Sequence, residues 1–265
     1  MLVADVVNYL EERYPRVNAE DFDQPRIGFI VGSKNIEVKN ILLALDLTYE
    51  VVLEAIEKNC NMIITHHPFI WDPIFKLIFE DNKTKIISKL FEHQISVYSM
   101  HTNLDVANGG VNDVLCSMLG VNELKSLYDI EKGNFLKYGE IEEVTLKEFA
   151  LNVKKAYDLT GVRVLGDLNK KVKLVGIIGG SGAHMGDLND AIKAGLDAYV
   201  TGEIKLSNAQ YAYDNGLSLI EVNHGVEKFV FDKVSLELKD VFEEKYNYNN
   251  KVIVSKVNTD KFITL

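Results

Sequence analysis

Three apolar runs of strand length in this chain each lead into histidine and stop there. Met62-Ile63-Ile64-Thr65 closes on His66-His67, and Pro68 then keeps the chain from continuing as strand. Ile95-Ser96-Val97-Tyr98-Ser99-Met100 runs into His101-Thr102-Asn103-Leu104-Asp105. Leu217-Ser218-Leu219-Ile220-Glu221-Val222 runs into Asn223-His224-Gly225-Val226-Glu227. Runs this short, alternating with stretches of helical periodicity, specify βαβ units and a largely parallel sheet. In open α/β sheets the carboxyl ends of the strands are where ligands bind. Four of the six histidines therefore stand at such ends, with Asp105 and Glu227 nearby in the chain. A single strand-end histidine is usually a hydrogen-bonded structural residue. The same layout three times over points to a metal site.

Bulk properties narrow the classes. The chain has 265 residues, 47% of them hydrophobic and 26% charged, which suits a soluble globular protein of one large or two modest domains. No apolar stretch approaches the roughly 18 residues that span a bilayer, so no membrane partner is expected. The amino terminus, Met1-Leu2-Val3-Ala4-Asp5, has an early acid and no basic region, unlike a secretory signal. Cys60 and Cys116 are far apart and suggest neither a disulfide framework nor a cysteine-type zinc knuckle. The cytoplasm is the expected compartment. A net charge of −10 without a basic block argues against nucleic acid as a main partner. Two divalent cations would reverse that sign locally, so an anionic small-molecule substrate remains compatible.

Along the chain the pattern predicts a helix over 1–14, strands over 27–31 and 41–45, a helix over 50–58, the His66-His67 strand, a helix over 83–92, the His101 strand and a helix over 111–119. The pattern loosens over 124–139, where a boundary is expected. A second set follows: strand 138–144, helix 146–157, strands 162–165 and 174–178, helix 188–194, strand 198–201 and helix 206–215. The Leu217 strand, a helix over 226–238 and a short strand over 252–254 close the chain. The expected fold is α/β, two similar subdomains with mixed sheets flanked by helices. Residues 1–125 with 217–265 form the metal-binding subdomain, because His224 is taken to rejoin it, and 126–216 form the second.

The ligand types carry the chemistry. Neighbouring strand residues point to opposite faces, so His66 and His67 could not both serve one ion within regular strand; just past the strand end the backbone is free to turn, and each imidazole can address a different one of two neighbouring ions. His224 and Glu227, spaced i, i+3 at a helix start, share a face. Asp105 adds an anionic oxygen from a third element. Three imidazoles and two carboxylates, His66, His67, Asp105, His224 and Glu227, suit Zn, Fe or Mn better than Mg or Ca. Five ligands exceed the usual three of a catalytic zinc site and suit two divalent ions per subunit, roughly 3.5–4 Å apart, with water between them. Such ions lower the pKa of bound water from 15.7 to about 7, and hydrolysis is the natural reaction. Glu227 is the candidate bridge between ions. His101 could be a ligand, an outer hydrogen-bonding neighbour or a proton carrier, with the outer position favoured; Glu227 and His101 are the catalytic candidates. The turn Gly179-Gly180-Ser181-Gly182 is either a phosphate cradle or a tight turn that needs glycine. Thr201-Gly202-Glu203 follows a strand and could share the cleft. His184 and His93 read as solvated.

These motifs together resemble the Nif-three-like family, also called GTP cyclohydrolase 1 type 2 homologues. The resemblance rests on Thr65-His66-His67-Pro68, His101-Thr102-Asn103-Leu104-Asp105, Gly179-Gly180-Ser181-Gly182, Thr201-Gly202-Glu203 and His224-Gly225-Val226-Glu227, in order over nearly the whole chain. It implies a dinuclear metal centre on His66, His67, Asp105, His224 and Glu227, and a two-subdomain fold assembled as a toroidal homohexamer. It also implies a hydrolase that opens the guanine ring of GTP or acts on another nucleotide or phosphorylated metabolite. Some bacterial relatives carry an inserted domain, and this chain looks like the short form. It departs from the family at Asn223-His224-Gly225, where Gly-His-aromatic is common. The competing expectation is a non-catalytic metal store, chaperone or regulatory scaffold.

Overall fold

The structure, a computed structural model, describes residues 1–127 and 135–262. The chain begins with helix α1 (Val3–Arg13), strands β1 (Gly28–Val31) and β2 (Asn40–Ala44), helix α2 (Tyr49–Glu57) and strand β3 (Cys60–Thr65). Helix α3 (Asn82–Glu92), strand β4 (Ser96–Ser99), the short helix α4 (Thr102–Asp105) and helix α5 (Val111–Met118) follow. Next come β5 (Asn122–Ser126), β6 (Lys137–Thr145), α6 (Leu146–Ala156), β7 (Arg163–Leu165), β8 (Lys171–Ile178), α7 (Met185–Lys193), β9 (Ala198–Gly202), α8 (Leu206–Asp214) and β10 (Ser218–Val222). A 3₁₀ segment (His224–Phe229), α9 (Val230–Tyr246) and β11 (Val252–Val254) complete it.

Two compact units result: Met1–Leu104 with Val230–Thr259, and Asp105–Phe229 with the segment that starts at Asp260. The first unit is a sheet of order β1-β4-β3-β2-β11, parallel except for the antiparallel edge strand β1. Every residue of β3 and of β4 is buried, as expected of parallel strands covered on both faces. Val51, Val52 and Ala55 of α2 and Ile86 and Leu90 of α3 pack with Leu42, Ile63 and Val97 in one apolar cluster. This is the α/β layering the alternating pattern predicts.

The second unit is a mixed sheet of order β5-β6-β8-β9-β10-β7, with a parallel centre β8-β9-β10 and antiparallel neighbours on both sides. Leu188 and Ala191 of α7, Ala212 of α8, and Ile178, Tyr199 and Leu219 of the sheet form its core. Tyr157 is buried and donates its hydroxyl hydrogen to the Leu115 carbonyl at 2.9 Å, tying the end of α6 to α5.

The division differs from the sequence expectation in two places. It falls within α4, after Leu104, and not near residue 125. The reason is that Asn122–Ser126, read as patternless, is a strand paired antiparallel to β6; four of its five residues are exposed and leave no apolar alternation to read. The Leu217 run lies in the second sheet, parallel to β9, so His224 and Glu227 belong to the second unit. Strand pairing places this element, whereas the expectation followed the histidine. Part of the loosened stretch, 128–134, lies outside the described residues.

Helix α6 starts on a capping box. Thr145 Oγ1 accepts the Glu148 N–H at 3.2 Å while Glu148 Oε2 accepts the Thr145 N–H at 2.8 Å, so two of the helix's orphan donors are satisfied. Thr145→Ala removes one acceptor and disturbs the other. It is expected to cost about 1 kcal/mol, read as a lower midpoint in urea unfolding with an unchanged slope.

Candidate metal centre

In the first unit the ladder persists one step beyond β3. The N–H groups of His66 and His67 donate to the carbonyls of Ala44 (3.2 Å) and Leu45 (2.9 Å), and the Met100 N–H donates to the Thr65 carbonyl (2.8 Å). Thr65 Oγ1 meets Ser99 Oγ at 2.8 Å and also donates to the His67 carbonyl at 3.0 Å. These bonds fix where the chain bends away at Pro68. His66 is fully buried, and His67 and His101 are partly buried. Although adjacent strand residues diverge, the bend brings both rings near His101. Ring centroids are 5.0 Å apart for His66 and His67, 5.2 Å for His66 and His101, and 5.6 Å for His67 and His101. Each ring offers a nitrogen such that all three lie within 4.8 Å of one another, a group able to hold a metal ion.

Carboxylates stand behind two of these rings. His67 Nδ1 is 2.6 Å from Asp46 Oδ1, and His101 Nδ1 is 2.8 Å from Asp23 Oδ2. Asp23 is fully buried, and the same Oδ2 accepts from the Thr102 N–H (3.1 Å) and hydroxyl (2.7 Å). Burial pushes the Asp23 carboxyl up, but the bonds and charge from His101 and the bonds from Thr102 outweigh it and hold the group below the ordinary carboxylate range. Asp46 follows the same balance: desolvation raises it, and the hydrogen bond and charge of His67 with a bond from Thr259 bring it net down. Both carboxylates are thereby kept ionised, as acceptors only. Trp71 closes this neighbourhood, its ring edge-on to His101 at 5.9 Å, with the Arg26 guanidinium 4.7 Å and the Phe22 ring 6.0 Å from its centre.

The second unit contributes Asp105, His224 and Glu227. The segment carrying the last two is 3₁₀ where an α-helix was expected, and i, i+3 side chains eclipse in that geometry. His224 Nε2 accordingly lies 3.2 Å from Glu227 Oε2, while His224 Nδ1 is 2.7 Å from Glu203 Oε1. Glu227 is buried at 4% exposure. The glycine turn gives it room. Gly180 has φ +61, and a Cβ there would overlap Glu227 Oε1 and lie 3.1 Å from His224 Nε2. A Cβ on Gly202 would meet the Gly180 carbonyl oxygen at 2.6 Å. The glycines that suggested a phosphate cradle thus permit close approach of backbone to the acid and imidazole. Asn112, buried, links the turn to Asp105: its Nδ2 donates to the Asp105 carbonyl (3.2 Å) and its Oδ1 accepts the Gly179 N–H (2.7 Å). Asp105 itself is buried at 8% exposure.

Every sequence-predicted site residue therefore falls into one of two donor groups of imidazole and carboxylate. Nitrogen and anionic oxygen donors of this kind fit divalent ions of borderline softness. The sequence reading missed Asp23, Asp46 and Asn112. Asp46 follows the apolar run of β2 as His66 follows that of β3, so the strand-end signal was present; Asp23, in a run of turns, carried none. His93 is exposed beside Glu92, and His184 is exposed at the start of α7.

Known proteins match this chain over nearly its whole length. Residues 1–261 match the family described as Duf34/NIF3 (NGG1p interacting factor 3). The chain belongs to the Duf34/NIF3 family. A GTP cyclohydrolase 1 type 2 homolog of Clostridium acetobutylicum is 33% identical, with 98% of this chain and 97% of that protein covered. One from Streptococcus pneumoniae is 32% identical over 99% of each. A Duf34/NIF3 relative of known structure, a Bacillus cereus protein related to NIF3, has a TM-score of 0.91 at 26% identity and covers 100% of this chain and 99% of its own. A hypothetical protein of Staphylococcus aureus has a TM-score of 0.92 at 31% identity, with the same coverage. A further Staphylococcus aureus relative aligns over 370 positions, against the 265 residues here, in keeping with the short form expected of this member.

The close approach at Gly180 generates a test. Gly180→Ala adds a methyl where Glu227 stands and holds alanine at positive φ, so the turn or the acid must move. Zinc affinity, measured by competition with a chromophoric chelator, is expected to fall on the order of 10–100-fold, as when a group holding a metal ligand is disturbed. Unaltered affinity in a folded protein would show that the turn does not set the position of Glu227.

Proposed function

We propose that this protein is a dinuclear-metal-dependent hydrolase, with His66, His67, Asp105, His224 and Glu227 holding two divalent ions per subunit. The observation that carries the reading is the commitment of three separate imidazoles, each backed by a carboxylate at Nδ1: His67 by Asp46, His101 by Asp23 and His224 by Glu203. Carboxylate behind imidazole is the usual support of a metal ligand, because it fixes the tautomer and leaves Nε2 basic. Bound there, the ions would lower the pKa of a coordinated water to about 7 and polarise the atom under attack.

The chain's own residues supply the rest. Glu227 offers two oxygens from a buried position and balances charge between the ions. Asp46 and Glu203 hold the rings of His67 and His224 against rotation. His101, fixed by Asp23, stands beside His66 and His67 and can carry a proton. The homologues' name makes GTP the first substrate to try, followed by other nucleotides and phosphorylated metabolites. The family resemblance supports a toroidal homohexamer, and two buried thiols with no pairing between them support the cytoplasm. Among the described residues no helix is long and apolar enough to cross a membrane.

Elemental analysis of chelator-free protein should give near two ions per subunit, with fewer in Asp105→Ala. Glu227→Gln keeps the size but removes a charge. It should weaken the second ion and lower hydrolysis of whichever substrate a metal-replete screen finds by several orders of magnitude. A stable single ion in the wild type would sink the dinuclear reading, and metal uptake without turnover of any compound screened would favour a metal store. Light scattering is expected at about six times 29.9 kDa.

A further inference from the structure

Arg26 differs from the other three arginines of the chain in its partners. Arg13, Arg16 and Arg163 are each paired with a glutamate, respectively Glu237, Glu11 and Glu221. Arg26 has no carboxylate partner among the described residues. We infer that Arg26, Phe22 and Trp71 bind a ring compound that carries a phosphate, of the mononucleotide class, the guanidinium taking the phosphate and the two aromatic rings the base. The inference deepens the hydrolase reading and rests on it for the place of this ligand as substrate, and it uses none of the metal donors.

Backbone oxygen holds Arg26 in place. Its Nε donates to the Trp71 carbonyl at 2.7 Å and its Nη1 to the Phe22 carbonyl. A guanidinium has five N–H donors, so three remain after these two. The carbonyls fix its position without neutralising its charge. Asp23, the nearest acid in sequence, is fully buried, and its Oδ2 is taken by His101 and Thr102. In a chain of net charge −10, a guanidinium fixed in this way and left without a carboxylate is prepared for an external anion.

The rings supply the other half. The guanidinium lies 4.7 Å from the Trp71 ring centre, and the Phe22 ring lies 6.0 Å from the same centre, tilted by 52°. Tryptophan is highly buried on average, yet Trp71 is 43% exposed and Phe22 beside it 49%. Exposing two large rings forgoes the hydrophobic gain of burying them, and it leaves a flat ligand a surface to lie against. Aromatic walls with a few fixed polar groups are the usual make-up of a small-molecule site. All three residues belong to the first unit, so the site is complete within it.

Chemical class follows from the pairing of charge with rings. A planar guanidinium matches phosphate oxygens, and stacking on an aromatic side chain suits any base, because every base has a π-face. A ligand with both features gains from both contacts at once. Trp71 also lies edge-on to His101 at 5.9 Å, so a ring seated here stands beside the imidazole group of the same unit. A substrate of the proposed hydrolase has to be held within reach of that group.

The test uses the full-length chain as purified without chelator, and GMP as a probe that carries one ring system and one phosphate. Trp71 is the chain's sole tryptophan, so its emission, corrected against free tryptophan, reads this surface directly. GMP is expected to quench it saturably, guanosine to bind about 10–100-fold more weakly, and inorganic phosphate to displace GMP. Arg26→Gln should lower GMP affinity by about the same 10–100-fold, the loss of a hydrogen bond to a charged group, and leave guanosine binding unchanged. Phe22→Ala should weaken GMP and guanosine alike, with phosphate still displacing GMP. The wild-type titrations leave every side chain intact and stand whether or not the variants fold. No saturable quenching by GMP, guanosine binding as tightly as GMP, or Arg26→Gln binding GMP as the wild type does overturns the inference. Turnover of a nucleotide without quenching would overturn it and spare the hydrolase reading, whereas quenching without turnover of any compound screened would do the reverse.

Discussion

A carboxylate oxygen at Nδ1 of an imidazole is the contact on which the site depends. It occurs at His67, His101 and His224, from three acids that lie on different elements. Hydrogen bonds to a charged partner are worth about 1.5–3 kcal/mol each, enough to hold a ring in one rotamer and one tautomer. That is preorganisation: the rings are oriented before any ligand arrives. Asp23 shows the cost. A fully buried carboxylate is tolerated only because His101 and Thr102 donate to it, and its Oδ1 still finds no hydrogen-bond partner among the described residues. A fold built for stability alone would gain by placing an apolar side chain there.

The second unit reaches a similar end by a different device. There the constraint is space. Gly202 approaches Gly180, and Gly180 approaches the Glu227 side chain, so closely that a methyl on either would overlap backbone or carboxylate. The acid is thus held between a glycine turn and a 3₁₀ segment, with Asn112 joining the turn to Asp105. Parallel strands β8, β9 and β10 end in these segments, which is why three stretches distant in sequence meet at one sheet edge.

Much of this was legible in the sequence, and the exceptions share a cause. His66, His67, His101 and His224 stood out because each breaks an apolar run, and a parallel sheet turns such breaks into a ligand-bearing edge. Most helices and strands with a clean period were found within a residue or two, but β8 and α7 each begin three residues earlier than expected, and the helix expected over 226–238 is α9, Val230–Tyr246. What failed was what lacks a period. β5 is an exposed edge strand with polar residues on both faces, so nothing marked it. The Leu217 strand was assigned to the wrong unit because its histidine was used to place it, while strand pairing, invisible in one sequence, decides the matter. Asp23 sits among turns whose positions are fixed only by tertiary contact. The 3₁₀ geometry at His224 was also hidden, since an i, i+3 pair reads the same in either helix.

Charge gives the final constraint. Asp23 and Asp46 lie with the first imidazole group, and Asp105, Glu203 and Glu227 with the second. Each group therefore gathers anionic charge within its own unit, two carboxylates in the first and three in the second. Within each unit, repulsion among these acids is borne by the hydrogen bonds described above, in a chain already carrying −10. Cations that bind the folded chain and not the unfolded one then stabilise it twice, by mass action and by relieving that repulsion. A cation bound by either group would therefore stabilise the unit that carries it. Of the five, Asp105 and Glu227 belong to the groups that could hold a metal ion.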